Sequence, residues 1–343
     1  MTRTLNIKDA LNEALRQEME VDSRIVLLGE DIAGGAGRDD VNPEGTDCWG
    51  GVFGVTKDLL GQFGRERVVD TAIAETGFVG AAIGASLVGM RPIVEIMFAD
   101  FIGTSYDQLL NHAAKLRYMY GGKVSVPIVV RTVTGAGFRA GAEHSQTLYS
   151  LYTHVPGLKV VAPSTARDAK GLMLSAIRDP NPVIFMEHKR LYLLDDDVPE
   201  EPYTIPVGVA RIARDGSDVT IVGVQTMVHT ALDAAKVLAE QGIEAEVIDP
   251  RTYSPLDEDT ILGSVEKTGR LVIVDESHPR CSLPTDISAL VADKGFASLR
   301  SPIKMVTGPH TPIPFSPPLE DAFIPDPEQI VAAVKSQFEY APA

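Results

Sequence analysis

Two side chains in this 343-residue sequence have the type and setting for proton chemistry, Glu75 and His144. Glu75 lies within VVDTAIAETGFVGAAIGASLVGMRPIVEIMFADF, residues 68–101. The stretch reads as a strand at 67–70, a loop ending at Glu75, a helix of small residues at 77–90 and a second strand at 93–97. A carboxylate that leaves the carboxyl end of a strand just before a helix stands where open α/β sheets place their ligands. An acid meeting the positive end of a helix dipole would occupy the same position, and the residues alone leave both readings open. The helix carries Gly80 and Gly84. A glycine inside a helix costs roughly 1 kcal/mol relative to alanine, so the pair implies close approach by another backbone. His144 sits in GAGFRAGAEHSQ, a glycine-rich loop entering an expected helix at 143–154. Imidazole exchanges protons near neutrality, although a lone histidine serves a structural role equally well. Gly135, Gly137 and Gly141 miss the spacing of a dinucleotide fingerprint. By residue type alone Met97 and Phe101 read as core at a strand end, His188 in MEHKRLY as structural, and Cys281 in SHPRCSLPTD as packing.

The elements that must position these residues follow an α/β alternation. Asn6 caps an amphipathic helix with Ala10, Leu11, Ala14 and Leu15 on one face, and a short apolar strand at 24–29 ends in Glu30 and Asp31. Residues 34–54 are too rich in glycine and aspartate for a regular element, and within them Trp49 reads as a lid over the local core rather than as the alternative, a partner anchor. A helix at 105–120, strands at 126–133, 159–162 and 183–186, and a helix at 168–178 follow. The acidic, proline-rich segment 196–206 reads as a linker between a first domain, 1–195, and a second, 207–343. Alternation resumes with strands at 219–224, 244–248, 271–274 and 303–306, and helices at 228–241, 257–267 and 283–294. From Thr307 a proline-rich tail is expected to run extended to a last helix at 328–337. Repeated βαβ units imply parallel sheets with right-handed crossovers. The fold class is therefore α/β, with two open, mostly parallel sheets flanked by helices.

Composition narrows the partners. Net charge is -16, from 47 acidic against 31 basic residues, which argues against nucleic acid and anionic membrane. No apolar run approaches the roughly 20 residues that span a bilayer, and the N-terminal stretch reads as neither a signal peptide nor a transit peptide. Two cysteines, Cys48 and Cys281, without CxxC spacing, suit a reducing cytoplasm.

The stretch DTAIAETGFVGAAIGASLVGMRPIVE resembles the pyrimidine-binding module of thiamine-diphosphate enzymes, more closely the beta subunit of the first component of acetoin and 2-oxoacid dehydrogenase complexes. The likeness runs through almost the whole chain; Ala72 stands where that family usually has proline. It implies a transketolase-like pyrimidine-binding domain followed by a transketolase C-terminal-like domain. It implies that Glu75 shares a proton with the cofactor's pyrimidine, that Gly80, Met97 and Phe101 lie at the cofactor, and that His144 of the HSQ motif handles acyl intermediates and their transfer to a lipoyl group. It also implies a potassium site of main-chain oxygens at Ile128, Ala176, Asp179 and Asn181.

The family holds the cofactor diphosphate through Mg²⁺ on a Gly-Asp-Gly motif, and this chain has none. The resemblance therefore implies an alpha subunit carrying that half, in a heterotetramer of two alpha and two beta chains, and a dihydrolipoyl acyltransferase core docked through the C-terminal half. The segments TDCWGGVFGVTK, AKLRYMYGGK, DESHPRCSLPTDISALV and HTPIPFSPPLED are similar to acetoin dehydrogenase beta chains, whereas GFVG after Glu75 is nearer the pyruvate type. Acetoin is the expected substrate, with pyruvate or a branched-chain 2-oxoacid as the alternative. The joint presence of Glu75, Gly80, Gly84 and His144 argues against a non-catalytic assembly module, and the missing Gly-Asp-Gly against a stand-alone transketolase.

Overall fold

The computed structural model describes residues 2–34 and 49–340. Most of the glycine- and aspartate-rich segment, with Cys48, lies outside the described residues. Chain contacts divide the protein into two units, one of Met1–Thr134 with Leu151–Val207, the other of Gly135–Ser150 with Gly208–Ala343.

In the first unit, strands β1 (Thr2–Asn6), β2 (Ile25–Gly29), β3 (Val68–Asp70), β4 (Arg91–Ile96), β5 (Val129–Thr134), β6 (Lys159–Val161), β7 (Val183–His188) and β8 (Asp195–Pro199) form in chain order. Six of them lie side by side as β6-β7-β5-β4-β2-β3, every pair parallel. β5 and β7 are buried along their whole length, as expected of strands covered on both faces. The Ile7–Val21 helix packs on the Ala166–Arg178 helix. Its Asn6 cap accepts from the amide of Asp9 at 2.9 Å, the bond the sequence predicts.

The second unit holds β9 (Arg211–Arg214), β10 (Val219–Gly223), β11 (Ala245–Asp249), β12 (Thr252–Ser254), β13 (Leu271–Asp275) and β14 (Lys304–Thr307). Its main sheet has the order β14-β13-β10-β11-β9, parallel except for the antiparallel edge strand β9. Helices Met227–Ala239 and Pro327–Phe338 close one apolar core over it.

Several expectations require correction. Residues 196–206, expected as the linker, are anchored along the first unit. β8 pairs antiparallel with β1, and the buried Lys170 ammonium donates to the Pro199 and Glu200 carbonyls at 2.7 and 2.8 Å. Ile205 donates to the carbonyl of Gly171, where an added Cβ would come within 2.7 Å of Ile205 and Tyr203. By chain contacts alone, residues 135–150 group with the second unit. The helix expected from 143 has no regular structure before Ser150, and that expected at 105–120 breaks into a 3-10 turn at Phe101–Ser105, a π-turn at Gln108–Ala113 and a short helix at Leu116–Met119. The tail is not wholly extended, because Pro317 and Pro318 open a helix, Pro317–Phe323. Trp49 is exposed and lids no core, and Cys281 is exposed too.

One buried ionic group lies across the first sheet. Arg131 on β5 is 2 % exposed and donates to both oxygens of Glu187 on β7 at 2.7 and 2.8 Å, and to Glu95 on β4 at 2.6 Å. Tyr192 donates to Glu187 at 2.6 Å. Removing the cation would leave two sheltered carboxylates uncompensated. Arg131→Met is expected to destabilise the chain by about 3–5 kcal/mol, read as a lowered denaturation midpoint; an unchanged midpoint would mean that the group contributes nothing to stability.

Candidate active site

Neighbouring parallel strands end on the same edge of a sheet, so β4, β2 and β3 deliver their following residues to one place. Gly29 closes β2, and an added Cβ there would sit 3.0 Å from Glu95 and Ile32. Glu30 and Asp31 come next, with Asp31 in a left-handed conformation. Asp70 ends β3 and accepts from the amide of Ala33 at 2.6 Å, tying the two strand ends together. The chain then turns through 71–74 into the Glu75–Leu87 helix, whose first residue is Glu75 itself. Together Glu30, Asp31, Thr71, Ala72, Ile73, Glu75, Met97 and Phe101 line an open cleft of about 630 Å³.

The cleft has three acids and an apolar wall. Burial raises the Glu30 carboxyl above its ordinary value, and the charges of Glu75 and Asp31 raise it further. The Thr71 hydroxyl is buried without a hydrogen-bond partner among the described residues. Phe101 stands edge-on to Phe98 with ring centroids 5.8 Å apart. An added Cβ on Gly80 would lie 3.4 Å from the Gln108 amide, and one on Gly84 would meet nothing within 4 Å. No other backbone within the described residues crowds the two glycines, and Gly77, Ala81, Gly84 and Val88 leave an exposed strip of small residues with one valine.

The structure thus brings together Glu75, Met97 and Phe101, with Gly80 little more than one helical turn from Glu75. Sequence reasoning missed Glu30. Its signal was an acid at the end of a strand, but nothing in the sequence says that β2 and β3 are neighbours.

His144 belongs to the second unit. Its loop is fastened at both ends. Ala136 and Gly137 donate amides to Glu276 and Glu320 at 3.1 and 2.8 Å, and the Thr147 hydroxyl donates to Glu276 at 3.0 Å. The Tyr149 hydroxyl donates to Asp275 and accepts from the amide of Leu283 at 2.9 Å.

Of the four expected carbonyl ligands, Ile128 precedes β5 and accepts from the amide of Val183, while Ala176, Asp179 and Asn181 follow one another around the end of the Ala166–Arg178 helix. The Arg91 guanidinium donates to the Asp179 carbonyl at 3.1 Å. His188 is buried, and its Nδ1 accepts from the amide of Arg190 at 3.2 Å. Among the described residues no group of three or more His, Cys, Asp or Glu is placed to hold a metal. No helix of the described residues is long and apolar enough to cross a membrane.

Residues 3–193 match the family "Transketolase, pyrimidine binding domain", and residues 208–330 match "Transketolase, C-terminal domain". The chain is 57% identical over 332 residues to the beta subunit of the acetoin:2,6-dichlorophenolindophenol oxidoreductase of Bacillus subtilis (strain 168), covering 97% of this chain and 96% of the relative. It is 58% identical over 335 residues to the beta subunit of the same name from Cupriavidus necator, covering 98% of each. The chain belongs to the beta-subunit family of dehydrogenase first components. The family also includes the pyruvate dehydrogenase E1 beta subunit of Rickettsia felis, 45% identical over 98% of this chain and 99% of that one. A solved split-gene transketolase, an inactive beta4 tetramer, shares the fold with a TM-score of 0.76 at 21% identity, covering 98% of each chain.

Thiamine-diphosphate dependence is the property of this family, and the cleft matches the character of the cofactor's pyrimidine. The ring is flat, largely apolar on its faces, and carries basic and donor nitrogens at its rim. Ile73, Met97 and Phe101 supply apolar surface, the acids supply acceptors, and the Thr71 hydroxyl has no competing partner among the described residues. The residues present fit the group.

Asp275, beneath the His144 loop, gives a pH test. Burial raises its carboxyl to about 7, against the bonds from Tyr149 and the Ser277 amide that lower it. A carboxyl whose folded value is raised contributes stability that is complete below its unfolded value and lost as pH climbs through the folded one. Between about pH 4 and pH 7 the native chain should lose roughly 1 kcal/mol per pH unit from this group. Asp275→Asn should lack that loss, so its unfolding midpoint relative to the native chain should rise from pH 5 to pH 7.5. A difference independent of pH would show that Asp275 titrates normally.

Proposed function

We propose that this chain is the catalytic beta subunit of a thiamine-diphosphate-dependent acetoin dehydrogenase. It would act with an alpha subunit, in a heterotetramer of two alpha and two beta chains, and pass acetyl units to the lipoyl groups of an acyltransferase core. The observation that carries the reading is identity of 57% and 58%, over nearly the full length, to two acetoin oxidoreductase beta subunits, against 45% for the pyruvate dehydrogenase relative.

Thiamine diphosphate, when bound, would supply a nucleophilic thiazolium carbon and an electron sink for carbon–carbon cleavage. This chain's residues prepare that chemistry. Glu75 shares a proton with a ring nitrogen of the pyrimidine, a role suited to a carboxylate at the edge of a partly sheltered cleft. Glu30 lies beside it, its own carboxyl raised by burial and by the charges of Glu75 and Asp31. Met97 and Phe101 exclude water from the ring, and Gly80 lets the helix pass close to it. His144 moves protons during acyl transfer, as imidazole can near neutrality.

The diphosphate and its Mg²⁺ would be held by the alpha subunit, since no Gly-Asp-Gly occurs here. The exposed strip Gly77, Ala81, Gly84 and Val88 suits contact with a second chain. Potassium at the carbonyls of Ile128, Ala176, Asp179 and Asn181 would neutralise the carboxyl end of the Ala166–Arg178 helix dipole. A cytoplasmic location accords with the cysteine usage. A pyruvate substrate is the second reading, favoured by the GFVG that follows Glu75.

Dye reduction by the reconstituted alpha–beta enzyme tests both role and substrate. Acetoin should support faster reduction than pyruvate at matched concentrations, and Glu75→Gln should lower the acetoin rate by about 10²–10⁴ with assembly intact. A clear preference for pyruvate would move the chain to the second reading. Near-native activity in an assembled Glu75→Gln enzyme would remove Glu75 from the mechanism.

A further inference from the structure

Residues 135–149 contain an unusual run of backbone conformations. Gly135, Gly137, Arg139 and Gly141 all have positive φ, at 96°, 90°, 58° and 78°. For Arg139, which has a Cβ, the left-handed region costs about 1–2 kcal/mol, and such a conformation persists only where its surroundings impose it. Amides in a loop of this kind converge and form a natural anion nest. Here the anions come from the chain itself.

Glu320 is completely buried and accepts from the amides of Gly137 and Arg139 at 2.8 and 3.0 Å and from the Arg139 guanidinium at 2.7 Å. That guanidinium also reaches Asp321 at 2.6 Å and the Pro317 carbonyl at 3.2 Å. Glu276, at the end of β13, accepts from the Ala136 amide and from the hydroxyl of Thr147. One carboxylate thus holds both sides of the loop, eight residues before His144 and three after it. The two acid-bearing segments are themselves wedged together. An added Cβ on Gly308 would fall 2.6 Å from the Glu276 carbonyl and 2.8 Å from the ring of Phe323, which shares the Glu320 helix.

We infer that Glu276 and Glu320 are positioning residues that impose the conformation of the 135–149 loop and thereby place His144 for acyl transfer. This rests on the proposed role of His144. A glutamine at 320 would keep the volume but turn an amide N–H toward backbone donors and leave the Arg139 charge unmatched at that site. Neither glutamate needs to touch substrate or cofactor for the loop to depend on it.

The test is a double-mutant cycle in the assembled alpha–beta enzyme, read as the rate of reductive acylation of a free lipoyl domain. Glu320→Gln and Glu276→Gln should each slow acylation by about tenfold or more, because displacement of a reacting group by about 1 Å costs on that order. In a His144→Ala background the same substitutions should cost less than about twofold, since a positioning residue has nothing left to position. Their pH–rate profiles should lose the ionisation that His144→Ala removes. Thr147→Val, which keeps both carboxylates, should show a smaller loss with the same coupling and carries the test if the glutamine variants do not assemble. Equal losses in both backgrounds, or no loss in an assembled variant, would overturn the inference while leaving His144 in place. An unimpaired His144→Ala enzyme would overturn the role of His144 first and the inference with it.

Discussion

A carboxylate that shares a proton with an aromatic nitrogen must be sheltered enough to hold the proton and open enough to admit the ring. Parallel strand pairing meets both needs. Because β4, β2 and β3 run in one direction, their carboxyl ends place Met97, Glu30 and Glu75 around one cleft. The rest of the first unit serves this edge. Arg131 joins β4, β5 and β7 through Glu95 and Glu187, and the bond from Ala33 to Asp70 fixes where β2 and β3 release their loops.

The largest buried ionic groups in both units are answered by partners. In the first, Arg131 meets two carboxylates and Lys170 meets Glu13 and two carbonyls. In the second, Glu276 and Glu320 take up amides that a glycine-rich loop would otherwise offer to an external anion. Each such group is expensive to break, which makes its geometry definite.

Periodic burial is what made much of the fold legible. β10, β11, β13 and the helix at Leu283–Lys294 fall within a residue of their expected bounds, because fully apolar strands and a capped helix announce themselves locally. The misread helix start has a physical cause. Residues 143–149 take their shape from distant partners, such as Glu276 for Thr147, and no local pattern encodes those contacts. In the cleft, Glu75, Met97 and Phe101 could be named from the family likeness of one continuous stretch. Glu30 could not, since its place beside Glu75 follows from strand order.

On the proposed reading, this chain builds the pyrimidine half of a thiamine-diphosphate site and leaves the diphosphate half to another polypeptide. Titration calorimetry of thiamine diphosphate with Mg²⁺ measures this directly, first with the purified chain and then with the alpha subunit added. Weak or undetectable binding to the chain alone, becoming tight and stoichiometric on reconstitution, is the predicted result. Tight stoichiometric binding to this chain by itself would show that the site is not divided between two polypeptides.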